Sequence, residues 1–134
     1  MERYIISEHS TIKGALVALN QISSDIQTLL VVNEENKLIG TLTDGDIRRG
    51  LIAGAGLNDS VASIIHKDFK YILNSEFDVA HLKAFRDRQI LFVPILDEER
   101  HIVEVVNLRK YKSSDYSANN IVILQGTKNL VRDV

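Results

Sequence analysis

The feature that most constrains the fold of this chain is an internal repeat. The segment 30–39 reads LVVNEENKLI and the segment 94–103 reads PILDEERHIV, so an apolar run, an acidic turn and a second apolar run occur in the same order. Each copy therefore predicts a β-hairpin with a short charged turn. A repeat of this kind indicates one supersecondary unit present twice, and neither copy is expected to bury its apolar faces alone.

The segments upstream of the two hairpins also correspond. Each begins with a hydroxyl residue suited to a helix N-cap, Thr11 in the first copy and Ser75 in the second. Short apolar runs at 4–6 and 69–73 predict the strand that starts each copy. Apolar residues then recur at helical spacing, at Ile12, Ala15, Leu16 and Leu19 in one copy and at Phe77, Ala80, Leu82 and Phe85 in the other.

The first hairpin leads into a further short helix. The predicted helix runs from Asp46 to Ile52, and Gly54 and Gly56 end it. Residues 60–65 predict another short helix. Strands that alternate with helices, with hairpins between them, indicate an α/β fold of the α+β type in which helices cover a mixed sheet. We expect one copy over residues 1–57, the second over 58–112, and a linker with a tail strand over 113–134.

Composition excludes several classes of function. The 134 residues include no cysteine, so disulfides, thiolate zinc sites and cysteine nucleophiles are excluded. The net charge of −2 gives no basic footprint for nucleic acid. No apolar run approaches the roughly 20 residues that span a bilayer. The four histidines are scattered without metal-ligand spacing, and no catalytic motif is present. We expect a cytoplasmic, non-enzymatic module without a metal.

One junction carries polar residues with a possible chemical role. After the first hairpin the chain reads GTLTDGDIRR over residues 40–49, so Thr43 closes a strand where a helix begins and Asp46 lies in the first turn. Free N–H groups at a helix start favour anions, and a carboxylate can accept hydrogen bonds from both hydroxyls of a ribose. Arg48 and Arg49 follow closely, where they could screen phosphate charge.

The same spacing has a second interpretation. Thr43-x-x-Asp46 resembles a capping box with Asp in place of Glu or Gln, which stabilises a helix by about 1 kcal/mol without any ligand. The two roles can alternate, because an N-cap threonine can share its hydroxyl with a phosphate.

Together, the Gly-x-x-Thr-x-x-Asp pattern at residues 40–46 and the doubled β-α-β-β-α order resemble a CBS domain pair, or Bateman module. The resemblance covers residues 4–111 and implies that the two copies pack as one pseudo-two-fold module. It further implies a regulatory site for an adenine nucleotide (AMP, ADP or ATP), with Thr43 near the phosphate and Asp46 on the ribose. It also implies a homodimer. The junction residues assigned to the ligand are Thr43, Asp44, Asp46, Arg48 and Arg49.

In this family each cleft is composite, and the other copy supplies the remaining walls. On that resemblance Asn74 and Ser75 face the ligand of Asp46, and Ile90 and Leu91 sandwich the base. As helix cap and core residues, all four also have a purely structural interpretation.

The second copy departs from the junction pattern, because Glu104, Asn107 and Lys110 replace its glycine, threonine and aspartate. A lysine has only donors and cannot hold a ribose diol as a carboxylate does. We therefore expect a single intact site.

The tail is open to two interpretations. Residues 117–128 read as a polar linker and one extra strand, which could be an edge strand against a partner. Alternatively, the run TDGDIRRGLIAG at 43–54 is similar to CBS pairs fused in front of sugar-phosphate nucleotidyltransferases, and Ile121–Lys128 resembles an eroded start of that catalytic domain. On this second interpretation, the chain is expected to regulate a nucleotidyltransferase or a similar partner. The alternative function is a structural or dimerisation module with a vestigial cleft.

Overall fold

The computed structural model describes residues 4–22, 27–108 and 131–132, the last pair as backbone only. The chain divides after Phe69 into two compact units, here called the N-terminal unit and the C-terminal unit. Residues 58–69, which the sequence analysis groups with the second copy, therefore lie in the N-terminal unit. The boundary of the sequence repeat after residue 57 stays a prediction, as does the pseudo-two-fold packing of the copies. Among the described residues, no helix has the length and apolarity to cross a membrane.

The N-terminal unit has the predicted β-α-β-β-α order. Its elements are β1 (Ile5–Ser7), α1 (Ile12–Gln21), β2 (Thr28–Val32), β3 (Leu38–Thr43) and α2 (Asp44–Ile52). The sheet order is β1-β2-β3, with β1 parallel and β3 antiparallel to β2. Thr11 caps α1 as predicted, since its side chain accepts a hydrogen bond from the Gly14 N–H at 3.0 Å. Ile12, Ala15 and Leu19 form the buried face of this helix.

The C-terminal unit repeats the first four elements of this order, β-α-β-β, in its described residues. Its elements are β4 (Ile72–Leu73), α3 (Val79–Asp87), β5 (Phe92–Leu96), β6 (Ile102–Asn107) and β7 (Val131–Arg132), in a sheet of order β4-β5-β6-β7. β4 is parallel to β5, β6 is antiparallel to β5, and β7 is parallel to β6. The predicted strand over 69–73 is shorter than expected, because only Ile72 and Leu73 pair with β5. Residues 109–130, which include the predicted nucleotidyltransferase start at Ile121–Lys128, lie outside the described residues.

The predicted N-cap at Ser75 is wrong. A 3₁₀ turn occupies Asn74–Glu76, and α3 begins only after Asp78, whose side chain accepts a hydrogen bond from the His81 N–H at 2.9 Å. Phe77 stays extended and packs against the core cluster that contains Leu82, which places an apolar pair at the two positions of a hydrophobic staple. With the helix starting there, Ala80 is exposed rather than buried.

The two hairpins share one turn chemistry, which explains their similar sequences. Asn33 Oδ1 accepts hydrogen bonds from the N–H groups of Glu35 and Lys37 at 2.9 and 3.0 Å. Asp97 Oδ1 accepts from Glu99 and His101 at 2.9 and 2.8 Å. Each turn also contains one residue with positive φ, Asn36 at 62° and Arg100 at 72°. A side-chain oxygen that binds its own downstream backbone defines an Asx turn, so the turn geometry is set locally.

The free edge of β3 is covered by the chain that follows α2. Thr41 and His66 exchange backbone hydrogen bonds of 3.0 and 2.8 Å, and this brings residues 65–66 over Gly40. A Cβ at residue 40 would lie 2.8 Å from Ile65 Cδ1 and 3.0 Å from the His66 carbonyl oxygen, so the close approach requires glycine. At the corresponding edge of β6, Val105 pairs with Val131 of β7.

In the second copy the position of Gly40 is occupied by a buried carboxyl group. Glu104 lies on β6 opposite Ile95 and is 8% exposed. Burial raises the pKa of its carboxyl group above the ordinary value of 4.5, because the charged form loses solvation. The folded protein then binds a proton at Glu104 more readily than the unfolded chain does. This group therefore makes the free energy of unfolding fall as pH rises above that ordinary value.

We predict that Glu104→Gln stabilises the protein at neutral and alkaline pH by removing the cost of a buried charge. The gain in the free energy of unfolding should shrink as the pH is lowered toward 4.5, because the raised pKa keeps Glu104 protonated to a greater extent in the folded state than in the unfolded chain. Urea denaturation of both proteins across this pH range measures the difference. Glu98→Gln, on the exposed hairpin turn, is the control and should give a small difference at every pH. A Glu104→Gln protein that is less stable than wild type near neutral pH would contradict the prediction.

Candidate functional site

The candidate site begins where β3 passes into α2. Thr43 is the last residue of β3 and the N-cap of α2, with extended backbone angles (φ −112°, ψ 169°). Its hydroxyl oxygen accepts a hydrogen bond from the Asp46 N–H at 3.2 Å, and Asp46 Oδ2 accepts one from the Thr43 N–H at 2.9 Å. These reciprocal bonds form the capping box that the sequence offered as its second interpretation.

The carboxylate of Asp46 makes two further contacts. The Thr43 hydroxyl donates to Asp46 Oδ2 at 2.9 Å, and Arg49 Nη2 donates to Asp46 Oδ1 at 2.8 Å. The side chain of Asp46 is 15% exposed, whereas that of Arg49 is 72% exposed. The acid is therefore fixed by the first turn of α2, and its Oδ1 accepts a hydrogen bond from a solvent-exposed cation.

Asp46 and Arg49 face an open cleft within the N-terminal unit. The cleft has a volume of about 380 Å³ and lies between α2 and the 3₁₀ turn at Val61–Ser63. Its remaining wall consists of Gly50, Ala53, Ala55, Ser63 and Ile64. None of these five residues was predicted from the sequence as part of the site. Gly50, one helical turn after Asp46, could have indicated a close approach to α2. The contact of residues 63–64 with α2 depends on tertiary packing and could not be predicted from the sequence.

Two of the predicted junction residues lie elsewhere on α2. Arg48 donates to the carboxylate of Asp44, an exposed i, i+4 ion pair. A helix turns by about 100° per residue, so Asp44 and Arg48 share one face while Asp46 and Arg49 share another. Asp44 lines a separate cleft of about 370 Å³ with residues from α1 and the start of β2. The structure thus brings Thr43, Asp46 and Arg49 together and separates Asp44 and Arg48 from them.

The residues predicted to complete the site belong to the C-terminal unit. Asn74 and Ser75 are exposed in the 3₁₀ turn after β4. Ile90 and Leu91 are half-buried just before β5, where they pack against the core cluster of that unit. Their contact with a ligand of Asp46 stays a prediction.

The second copy does not reproduce the polar junction. Asn107, at the position of Thr43, is 3% exposed, and Glu104 is buried as described above. Lys110, at the position of Asp46, lies outside the described residues. Among the residues that the structure describes, no cluster of three or more histidines and carboxylates is placed to hold a metal ion.

Comparison with known proteins identifies the fold. Residues 2–53 match the family model of the CBS domain. An uncharacterized protein of Helicobacter pylori is 30% identical over 112 residues, which cover 79% of this chain and 32% of that protein. The CBS domains of a transcriptional regulator from Streptococcus pneumoniae align with a TM-score of 0.64 at 15% identity, covering 80% of this chain and 85% of that one.

A further structural neighbour was solved with a nucleotide. The cytosolic domain of the Mg²⁺ channel MgtE, in complex with ATP, aligns with a TM-score of 0.63 at 23% identity and covers 80% of this chain and 42% of that chain. The predicted α+β CBS architecture is confirmed. The predicted resemblance to nucleotidyltransferase-linked CBS pairs gains no support from these comparisons. The chain spans about a third of the length of the Helicobacter relative.

We predict that Thr43 and Asp46 are energetically coupled, because each contributes to the same reciprocal bonds. Thr43→Ala and Asp46→Ala should each lower the free energy of unfolding by about 1 kcal/mol. The double variant should lose less than the sum, with a coupling energy of about 0.5 kcal/mol or more in urea denaturation. Thr11→Ala, which removes the cap of α1, is the matched control and should add to Asp46→Ala without coupling. Additive losses for Thr43 and Asp46 would contradict the capping box.

Proposed function

We propose that this chain is a regulatory module that binds an adenine nucleotide of the AMP, ADP or ATP type at the β3–α2 junction. Asp46 would hold the ribose, and Thr43 with the first N–H groups of α2 would lie near the phosphate. The module itself has no catalytic role in this proposal. Nucleotide binding would change how its two units, or two molecules of a homodimer, are arranged.

One observation carries the proposal. A hydroxyl and a carboxylate lie within hydrogen-bond distance of each other at the start of a nine-residue helix, and the carboxylate faces an open cleft. The helix start favours an anionic group through its free N–H donors and its dipole. The carboxylate is an acceptor for a pair of neighbouring hydroxyls. A ribose phosphate satisfies both requirements, whereas an apolar ligand satisfies neither.

The comparisons support this ligand class. Residues 2–53, which match the CBS domain, include Thr43, Asp46 and Arg49. The MgtE domain, which shares the fold, was solved with ATP bound. By transfer from the CBS resemblance, we propose that Asn74, Ser75, Ile90 and Leu91 complete the site around the base and sugar. A cytoplasmic location, where adenine nucleotides are abundant, fits the same proposal.

The regulated partner is a separate part of the proposal. A ligand regulates only when it binds one arrangement of the protein more tightly than another. We propose that the module transmits this preference to a fused or associated protein. A nucleotidyltransferase partner, predicted from residues 43–54 and 121–128, stays a prediction.

A second candidate function is a structural or dimerisation module with an unused cleft. Within the described residues, both oxygens of Asp46 already accept hydrogen bonds from Thr43 and Arg49. The capping box alone explains why this pair of residue types stands at a helix start. This function predicts no ligand response at all, which makes the two candidates separable.

We predict that AMP, ADP or ATP raises the thermal unfolding midpoint of the wild-type protein, because a ligand that binds only the folded state stabilises it. At a ligand concentration of 100 Kd the gain is about 2.7 kcal/mol. Asp46→Ala should abolish the ligand-induced shift, and the 2′,3′-dideoxy form of the same nucleotide should give a smaller shift with wild type. The shift is measured for each variant relative to that variant without ligand.

Thr11→Ala is the control for this experiment. It removes a helix cap in the same unit but lies outside the cleft, so its unfolding midpoint should fall while its nucleotide shift stays at the wild-type value. A wild-type protein that responds to none of the three nucleotides would favour the structural function. An equal shift in Asp46→Ala would place the ligand elsewhere.

We predict one nucleotide per chain, because Glu104, Asn107 and Lys110 replace the junction residues in the second copy. Isothermal titration calorimetry measures this ratio directly. Two equivalent nucleotides per chain would show that Thr43 and Asp46 are not what defines the site.

A further inference from the structure

The hydrogen bonds of Asp46 limit what its carboxylate can accept. Two carboxylate oxygens with two lone pairs each offer four acceptor positions. Within the described residues, Thr43 fills two positions on Oδ2 and Arg49 fills one on Oδ1. A ribose diol held through both hydroxyls needs two positions, and one is left. If a diol binds as the proposed function requires, one of the existing contacts has to be released.

The contact with Arg49 is the least costly one to release. The bonds between Thr43 and Asp46 are reciprocal and part-buried, and losing them would remove the cap of α2. The Arg49 side chain is 72% exposed, and ion pairs of solvated side chains contribute little to stability. Release of Arg49 empties Oδ1 for the diol and leaves the capping box intact.

The position of the Arg49 guanidinium gives it a second role after release. It folds back along α2 over Gly45, where a Cβ would lie 3.2 Å from Nη1. This is the first turn of the helix, where the dipole favours anions and disfavours cations. Among the described residues, Asp46 is the carboxylate with which this guanidinium pairs. A phosphate at the helix start would provide a second charge-assisted partner for the same side chain.

We propose that Arg49 is an exchangeable counter-ion that couples ribose binding to phosphate binding. It occupies Asp46 in the free protein and transfers to the phosphate when a nucleotide enters. A nucleoside displaces Arg49 without offering it a new partner, so the site selects 5′-phosphorylated ribosides over nucleosides. This inference rests on the proposed function and assigns to Arg49 a role that Arg48 does not share, because Arg48 is paired with Asp44 on another face.

The test compares AMP and adenosine as probes by titration calorimetry with the full chain. Arg49→Met keeps the aliphatic stem and removes the charge, and Arg48→Met is the matched control on the same helix. Arg49→Met should bind adenosine about two- to five-fold more tightly than wild type, because no ion pair has to be broken. The same variant should bind AMP about five-fold or more weakly, because the phosphate loses a charge-assisted partner. Arg48→Met should change either affinity by less than about two-fold.

Opposite changes for the two probes are the signature of exchange. If Arg49→Met weakens AMP but leaves adenosine unchanged or undetectable, Arg49 is a phosphate ligand only and the exchange is wrong, while the proposed function stands. If Arg49→Met behaves like Arg48→Met, the exchange is also wrong. A wild-type protein that binds no adenine nucleotide rejects the proposed function itself, and the inference falls with it. Arg49→Gln, which keeps a neutral donor, should lie between wild type and Arg49→Met for both probes.

Discussion

The reciprocal hydrogen bonds between Thr43 and Asp46 fix both the start of α2 and the direction of the only carboxylate that the described residues bring to the cleft of about 380 Å³. Backbone N–H groups at a helix start lack partners inside the helix, so a cap is needed whether or not a ligand binds. The same contacts hold Asp46 in one orientation, with Oδ1 bound by Arg49 at the cleft. A structural requirement of the fold and a possible binding surface therefore depend on one pair of side chains.

The two copies of the repeat show which constraints belong to the fold and which belong to the site. Both hairpins keep a side-chain oxygen that binds the downstream backbone, from Asn33 in one copy and Asp97 in the other. The junction is kept in one copy only, since Asn107 replaces Thr43 and the buried Glu104 replaces Gly40. A turn has to close in each copy for the sheet to form, whereas the fold does not require the Thr43–Asp46 pair in both copies.

The two ion pairs on α2 decide which charges line the proposed site. Arg48 and Arg49 are neighbours in sequence, yet one pairs with Asp44 and the other with Asp46 on a different face. Only the second pair touches the cleft. Under the proposed exchange, a site whose acid is already paired with a solvated cation would bind a neutral sugar more weakly than a sugar that carries its own anion. That property would suit a sensor of phosphorylated nucleotides.

The sequence by itself determined the features that depend on neighbouring residues: the element order of the N-terminal unit, the hairpins, the Thr11 cap and the capping box at Thr43. It failed where a longer-range contact decided the outcome. Phe77 packs into the core of its unit and moves the start of α3 from Ser75 to Asp78, and pairing with β5 shortens β4 to Ile72–Leu73. The wall of the cleft at Ser63 and Ile64 was likewise set by the return of the chain over β3 and α2. Local hydrogen bonds are encoded within a few residues, but packing partners far apart in sequence are specified only when the whole unit has folded.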